Sequence, residues 1–148
     1  VLPEQIVWPV PDAISTEAAA MMEPFGIAVH ASMEGCGVSG LNVLIAGCGP
    51  IGLMNIAAAR ALGANRIFAT DVNAMRLHRA LEMGADEVVN VSQEDAVQSL
   101  RAWTRGSGVD VAIEYSARPE SIAMAGKVLT PGAPPPPSRS TPTCSLRG

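Results

Sequence analysis

Gly47, Gly49 and Gly52 stand inside the eight residues IAGCGPIG (45–52), directly after an apolar run. Glycine weakens regular structure, so such spacing has a physical cause. The pattern G-x-G-x-x-G between a strand and a helix permits a tight turn and a close backbone approach to a pyrophosphate. In that scheme Gly47 makes the turn, Gly49 leaves room for the phosphates, and Gly52 lets the helix pack on the strand. The helix N-terminus then offers N–H groups and the positive end of its dipole. Pro50 has no N–H, so Ile51 and Gly52 are the expected donors. Asp71 follows about twenty residues beyond the last glycine, the distance at which an acid meets the adenosine ribose. Its carboxylate can accept both ribose hydroxyls and repels a 2′-phosphate, which favours NAD over NADP. Arg76 can stack on adenine, contact the ribose or compensate a 2′-phosphate. The same glycines also suit a plain βα turn in another doubly wound protein, or an FAD or S-adenosylmethionine site.

These residues need elements to hold them, and the chain alternates regularly from residue 42 onward. Short apolar runs at 42–47, 66–71, 86–91, 109–114 and 127–130 read as strands. The stretches between them read as helices, with Gly63 and Gly84 as C-terminal stops and Asn73 as an N-cap. Ser92 with Asp95 reads as a capping-box variant for the next helix, and Pro119 as the opening of the last. Strands alternating with helices mean crossover connections and a parallel sheet. The expected fold is α/β, a doubly wound parallel sheet of the Rossmann type, in the order 3-2-1-4-5. Ser116, at the end of the fourth run, borders the crevice beyond the carboxyl ends of the strands. Before the sheet, the segment 15–32 reads as helical, capped by Ser15 and broken or kinked at Pro24.

Composition narrows the function classes. The chain has 148 residues, 48% of them apolar, and a net charge of −4. That suits one domain with a core, built from aliphatic residues because only 3% are aromatic. A nucleic-acid surface would need clustered lysine and arginine, which are absent here. No apolar run reaches the ~20 residues of a membrane span, and the opening VLPEQIVWPV has no basic signal-peptide region. Cys36, Cys48 and Cys144 form neither a zinc knuckle nor a disulfide framework, which fits a reduced, cytoplasmic protein. His30 and His78 read as packed or solvated helix residues, and the methionines as packing groups.

The runs EPFGIAVHA (23–31), GLNVLIAGCGPIGLMNIAAARALGA (40–64) and TDVNAMRLHRALEMGADEVVN (70–90) resemble the cofactor domain of medium-chain, zinc-dependent alcohol dehydrogenases. Within that family the threonine- and polyol-oxidising branches are most similar. The resemblance implies transfer of hydride from a small-molecule secondary alcohol to NAD. L-threonine, giving 2-amino-3-oxobutanoate, is the first candidate substrate; sorbitol and butanediol are the others. It implies a catalytic zinc held mostly by residues of a separate domain, with no catalytic residue in this chain. Glu23 matches a glutamate that sits at that zinc, directly or through water. A lone carboxylate cannot hold zinc, so no metal is expected in this chain alone. A free-standing, non-catalytic nucleotide-binding module is the competing expectation.

Three parts are therefore expected. Residues 1–40 form a helical segment leading from a missing catalytic domain, and 41–131 a truncated NAD-binding domain. Residues 132–148 form a Pro/Ser-rich tail, disordered or non-native. The family is homo-oligomeric, with a sixth strand at the dimer edge. A proline-rich segment in that place would leave the sheet incomplete at its C-terminal edge and impair assembly.

Overall fold

A computed structural model describes residues 3–35, 37–130 and 145–146. The element order is α1 (Thr16–Met33), β1 (Asn42–Ala46), α2 (Pro50–Ala61), β2 (Arg66–Asp71) and α3 (Ala74–Glu82). It continues with β3 (Glu87–Asn90), α4 (Ala96–Trp103), β4 (Val111–Glu114), α5 (Pro119–Val128) and β5 (Ser145–Leu146). The first four strands form a parallel sheet in the order β3-β2-β1-β4. Ala46, at the end of β1, is level with Thr70 on one side and Glu114 on the other. The strand ends that bear Gly47, Asp71 and Ser116 therefore share one edge of the sheet.

Both faces of the sheet are covered, which is why its strands read as unbroken apolar runs. Ile45, Ile67 and Ile113 point to one face, where they pack with Ile56 of α2 and Leu77 of α3. Leu44, Phe68 and Ala112 point to the other, against Leu100 of α4 and Val128 of α5. Phe68 stacks on Trp103 with ring centroids 5.9 Å apart. Of the methionines expected to pack, Met54 is buried, whereas Met21, Met22 and Met75 face solvent. His30 and His78 are exposed and pair with Glu34 and Glu82 one helical turn away.

Three expectations need correction. Pro24 does not break α1, which runs unbroken for 18 residues. Ala20, whose carbonyl loses its partner to the proline ring, is exposed and open to water. The second half of the helix is anchored: Ala28, Ala31 and Ser32 are buried. Asn55 of α2 donates to the Ala28 carbonyl at 2.6 Å and to Ser32 Oγ at 2.7 Å. Tertiary hydrogen bonds thus hold a helix that sequence alone would interrupt.

Second, Ser92 does not cap α4. Asp95 is itself the N-cap, and its Oδ1 accepts from Val97 N–H at 2.9 Å and Gln98 N–H at 3.2 Å. Ser92 instead donates to Asn90 Oδ1 at 2.6 Å, inside the preceding turn. Asp95→Ala is accordingly expected to lower stability by about 1 kcal/mol. Ser92→Ala should change it by less than about 0.5 kcal/mol. Urea unfolding of both variants checks the assignment; equal losses would contradict it.

Third, 127–130 is not a strand. Lys127 and Val128 complete the last turn of α5, and burial of Val128 keeps them there. Leu129 makes one isolated parallel bridge to Val109, whose N–H donates to the Val128 carbonyl at 2.8 Å. β5, which lies within 132–148, pairs antiparallel with Ala112 and Ile113 of β4. The order still reads 3-2-1-4-5, but the fifth place belongs to a different segment of opposite direction. The rest of the 132–148 expectation lies outside the described residues.

Candidate functional site

The strand order reverses between β1 and β4, so the loops after these strands leave toward opposite faces. Such a switch point opens a crevice beyond the carboxyl ends of the strands. A cleft of about 890 Å³ lies there, and Gly47, Gly49, Asp71, Arg76, Tyr115 and Ser116 all line it.

The three glycines do different work. Gly47 has φ +101°, a backbone shape that side chains disfavour. A Cβ on it would also lie 2.8 Å from Ser116 N, because the β1–α2 turn rests on the end of β4. A Cβ on Gly52 would lie 1.9 Å from the Gly47 carbonyl oxygen, so α2 can approach the turn only without one. Gly49 has ordinary dihedrals, and nothing lies within 4 Å of the place a Cβ would take. Its bare Cα faces open space in the cleft. Pro50 opens α2, and the Leu53 N–H is the first to bond back into the helix, to Gly49 O at 2.9 Å. The Ile51 and Gly52 N–H groups precede it, in the turn whose donors α-helices leave over.

Asp71 ends β2 and is buried. One carboxylate oxygen accepts the Cys48 N–H and the other the Asn73 N–H, each at 2.8 Å. The side chain thus ties the glycine turn to the β2–α3 turn. A carboxylate has about four lone-pair sites, so two remain. Half-exposed Arg76 approaches its Oδ2 to 3.9 Å. Ser116 is fixed by Glu114, whose Oε1 accepts both its N–H, at 2.7 Å, and its hydroxyl. Sequence reasoning missed Glu114, and also Val72, Val91 and Arg118, which line the cleft. Arg118 is the N-cap of α5, directly before the proline that opens the helix.

With this geometry in place, the chain also matches the zinc-binding dehydrogenase family over residues 50–134. It belongs to that family. What it holds is the cofactor-binding domain of a zinc-dependent medium-chain dehydrogenase. It is 39% identical over 132 residues to an L-threonine 3-dehydrogenase of Symbiobacterium thermophilum, an overlap of 89% of this chain and 37% of that one. It is 37% identical over 138 residues to a sorbitol dehydrogenase of Bacillus subtilis, covering 88% of this chain and 39% of the relative. The solved alcohol dehydrogenase of Thermus sp. ATN1 superposes with a TM-score of 0.77 at 32% identity, over 84% of this chain and 36% of that one. The chain therefore spans less than two fifths of the length of these relatives.

The family's two cofactors fit these residues unequally. A dinucleotide fits the bare Cα of Gly49, the helix start behind it and the acid at the end of β2. Zinc does not: among the described residues no three His, Cys, Asp or Glu side chains gather as a metal site. Glu23 lies exposed on α1 and is not among the cleft-lining residues. Among the described residues no helix is long and apolar enough to cross a membrane.

Cys48, inside the glycine turn of this dehydrogenase domain, is fully buried and donates weakly to the Thr70 carbonyl at 3.7 Å. Burial, reinforced by the Asp71 charge and opposed by Arg76, pushes its thiol up to about 12 from an ordinary 9.0. The folded thiol binds its proton more tightly than the unfolded one. Its contribution to stability is therefore complete below about pH 9 and is lost as pH rises toward 12. Unfolding free energy should fall less steeply in Cys48→Ala than in the parent above about pH 9. Equal slopes would show that the thiol is not sequestered.

Proposed function

We propose that the cleft binds NAD and that the chain supplies the cofactor-binding part of a dehydrogenase acting on a secondary alcohol. L-threonine, oxidised to 2-amino-3-oxobutanoate, is the preferred substrate, and sorbitol or butanediol the next. The observation that carries the reading is Gly49: an open Cα at the start of α2, facing the cleft, with Asp71 beyond it.

In this reading Gly49 admits the pyrophosphate, and the Ile51 and Gly52 N–H groups bond it at the start of α2. Pro50 pre-sets the first helical turn without spending a donor. Gly47 and Gly52 bring turn and helix close enough for this. Asp71 accepts the adenosine ribose hydroxyls with its remaining lone pairs and repels a 2′-phosphate. Arg76, beside it on the open side, lies over the adenosine. Ser116 borders the nicotinamide end. The bound nicotinamide supplies hydride acceptance; the chain's own residues bind and orient it.

Residues 41–131 act as the nucleotide-binding unit and 1–40 as its helical lead-in. Glu23 is a zinc ligand only in company with residues beyond those described. The relatives' names support the substrate choice: curated relatives include L-threonine 3-dehydrogenases and a sorbitol dehydrogenase.

Fluorescence titration with NADH and NADPH tests the reading. NADH should bind at least about tenfold more tightly, the cost of roughly one unfavourable charge contact. Equal or tighter NADPH binding would remove the NAD assignment. No binding of either would remove the nucleotide reading. The chain by itself should turn over neither threonine, sorbitol nor butanediol, with or without added zinc; measurable turnover would place a catalytic centre within it.

A further inference from the structure

The turn between β4 and α5 contains a buried charge that nucleotide contacts do not require. Glu114, the last residue of β4, is buried. Its carboxylate is met by donors from Ser116 and Ala117, two and three residues further on. Oε1 accepts the Ser116 N–H at 2.7 Å and the Ser116 hydroxyl; Oε2 accepts the Ala117 N–H at 3.0 Å. The Arg118 N–H in turn donates to Ser116 Oγ at 3.3 Å. One carboxylate therefore organises the whole turn.

The turn is also strained. Ala117 has φ +54°, a left-handed conformation that glycine accepts and alanine resists. Such a conformation persists only where its surroundings over-determine it. A glycine at 117 would take this shape unaided. Alanine makes the shape depend on the hydrogen bonds around it, and these converge on Glu114. The consequences reach the cleft: Ser116 and Arg118 line it, and Ser116 N is the atom against which Gly47 rests.

We propose that Glu114 is a positioning residue whose carboxylate holds the strained Ala117 turn, and that this hold sets Ser116 and Arg118 for the cofactor. The proposal rests on the nucleotide reading of the cleft. A carboxylate is needed because every group facing it is a donor; an amide would turn an NH₂ against one of them.

The test uses the full chain, NADH titration, and hydrogen exchange at the Ser116 and Ala117 amides. Glu114→Gln is expected to weaken NADH binding at least tenfold and to speed exchange at both amides. Ala117→Gly is expected to bind NADH at least as well as the parent. The double variant should regain most of the lost affinity, because glycine no longer needs the hold. A merely structural loss would not be regained in this way. Unchanged affinity in Glu114→Gln, or a loss that Ala117→Gly does not restore, overturns the proposal. If Glu114→Gln does not fold, Ala117→Val decides instead. A β-branched residue resists the left-handed shape, so affinity must fall and exchange must quicken; unchanged affinity overturns the proposal. If the parent does not bind NADH, the nucleotide reading has failed on its own. Exchange then decides the turn: quickened in Glu114→Gln and restored in the double variant, it supports the hold; unchanged, it overturns it.

Discussion

Gly52→Ala is expected to destabilise the chain by about 3 kcal/mol, the upper end for a group forced into a packed interior. The added carbon would meet the Gly47 carbonyl oxygen at 1.9 Å. That oxygen is backbone, and the Gly47 N–H is itself bonded to Thr70 O at 2.7 Å. Nor can the turn slide the other way, since Gly47 lies against the Tyr115–Ser116 backbone. The helix must therefore lift from the sheet, exposing part of the contact between Ile56 and Ile45. Gly49→Ala makes the decisive contrast. Its dihedrals suit any residue and its Cβ would meet nothing, so stability should hold or rise by about 0.5 kcal/mol. NADH binding should nevertheless weaken at least about tenfold, or 1.4 kcal/mol, because the new carbon stands where the pyrophosphate must lie. Urea unfolding and NADH titration of the two variants separate packing from binding. A Gly52→Ala midpoint equal to the parent's would contradict the close helix–turn contact. Unweakened NADH binding in Gly49→Ala would contradict the phosphate site.

Asp71→Ala should impair both properties together. Removal of the carboxylate leaves the Cys48 and Asn73 N–H groups without their acceptor, Cys48 in a fully buried position. Loss of charged hydrogen bonds of this kind costs about 2–3 kcal/mol of stability. In the proposed function the ribose contacts are lost as well, weakening NADH by about 1–3 kcal/mol. The preference over NADPH should narrow, because the repelling charge is gone. Arg76→Ala supplies the control. Its pairing with Asp71 spans 3.9 Å and its side chain is half exposed, so stability should change by less than about 0.5 kcal/mol. An Asp71→Ala variant as stable as the parent would mean that the carboxylate does not bind the two turns together. Full NADH affinity in that variant would remove it from the cofactor site.

Much of this arrangement was legible in the residues because it is encoded locally. Apolar runs marked the first four strands to within two residues at either end. Ser15 and Asn73 cap their helices as their types suggest, and Pro119 opens α5. Gly63 and Gly84 take positive φ directly after helices. The glycine spacing and the acid at the end of the second strand pointed to the cleft they line, since the βαβ unit is a local motif whose geometry follows from its own turn residues.

What the tertiary structure decided lies between segments far apart in the chain. Pro24 is tolerated because Asn55 and the α2 surface grip the helix beyond it. The run 127–130 has the composition of a strand, yet burial of Val128 against the sheet keeps its first half helical. The second partner of β4, beside β1, comes from 145–146, which no periodicity marks. Glu114 looks like an interruption in an apolar run until the turn it organises is seen, and Asp71 looks free until the Cys48 and Asn73 N–H groups are found on it. Periodicity and caps act within a few residues, through backbone sterics and nearest hydrogen bonds. Which donor meets which carboxylate, and which glycine must lack a Cβ, depends on the register of strands and the approach of helices. Those are set only when the whole core closes.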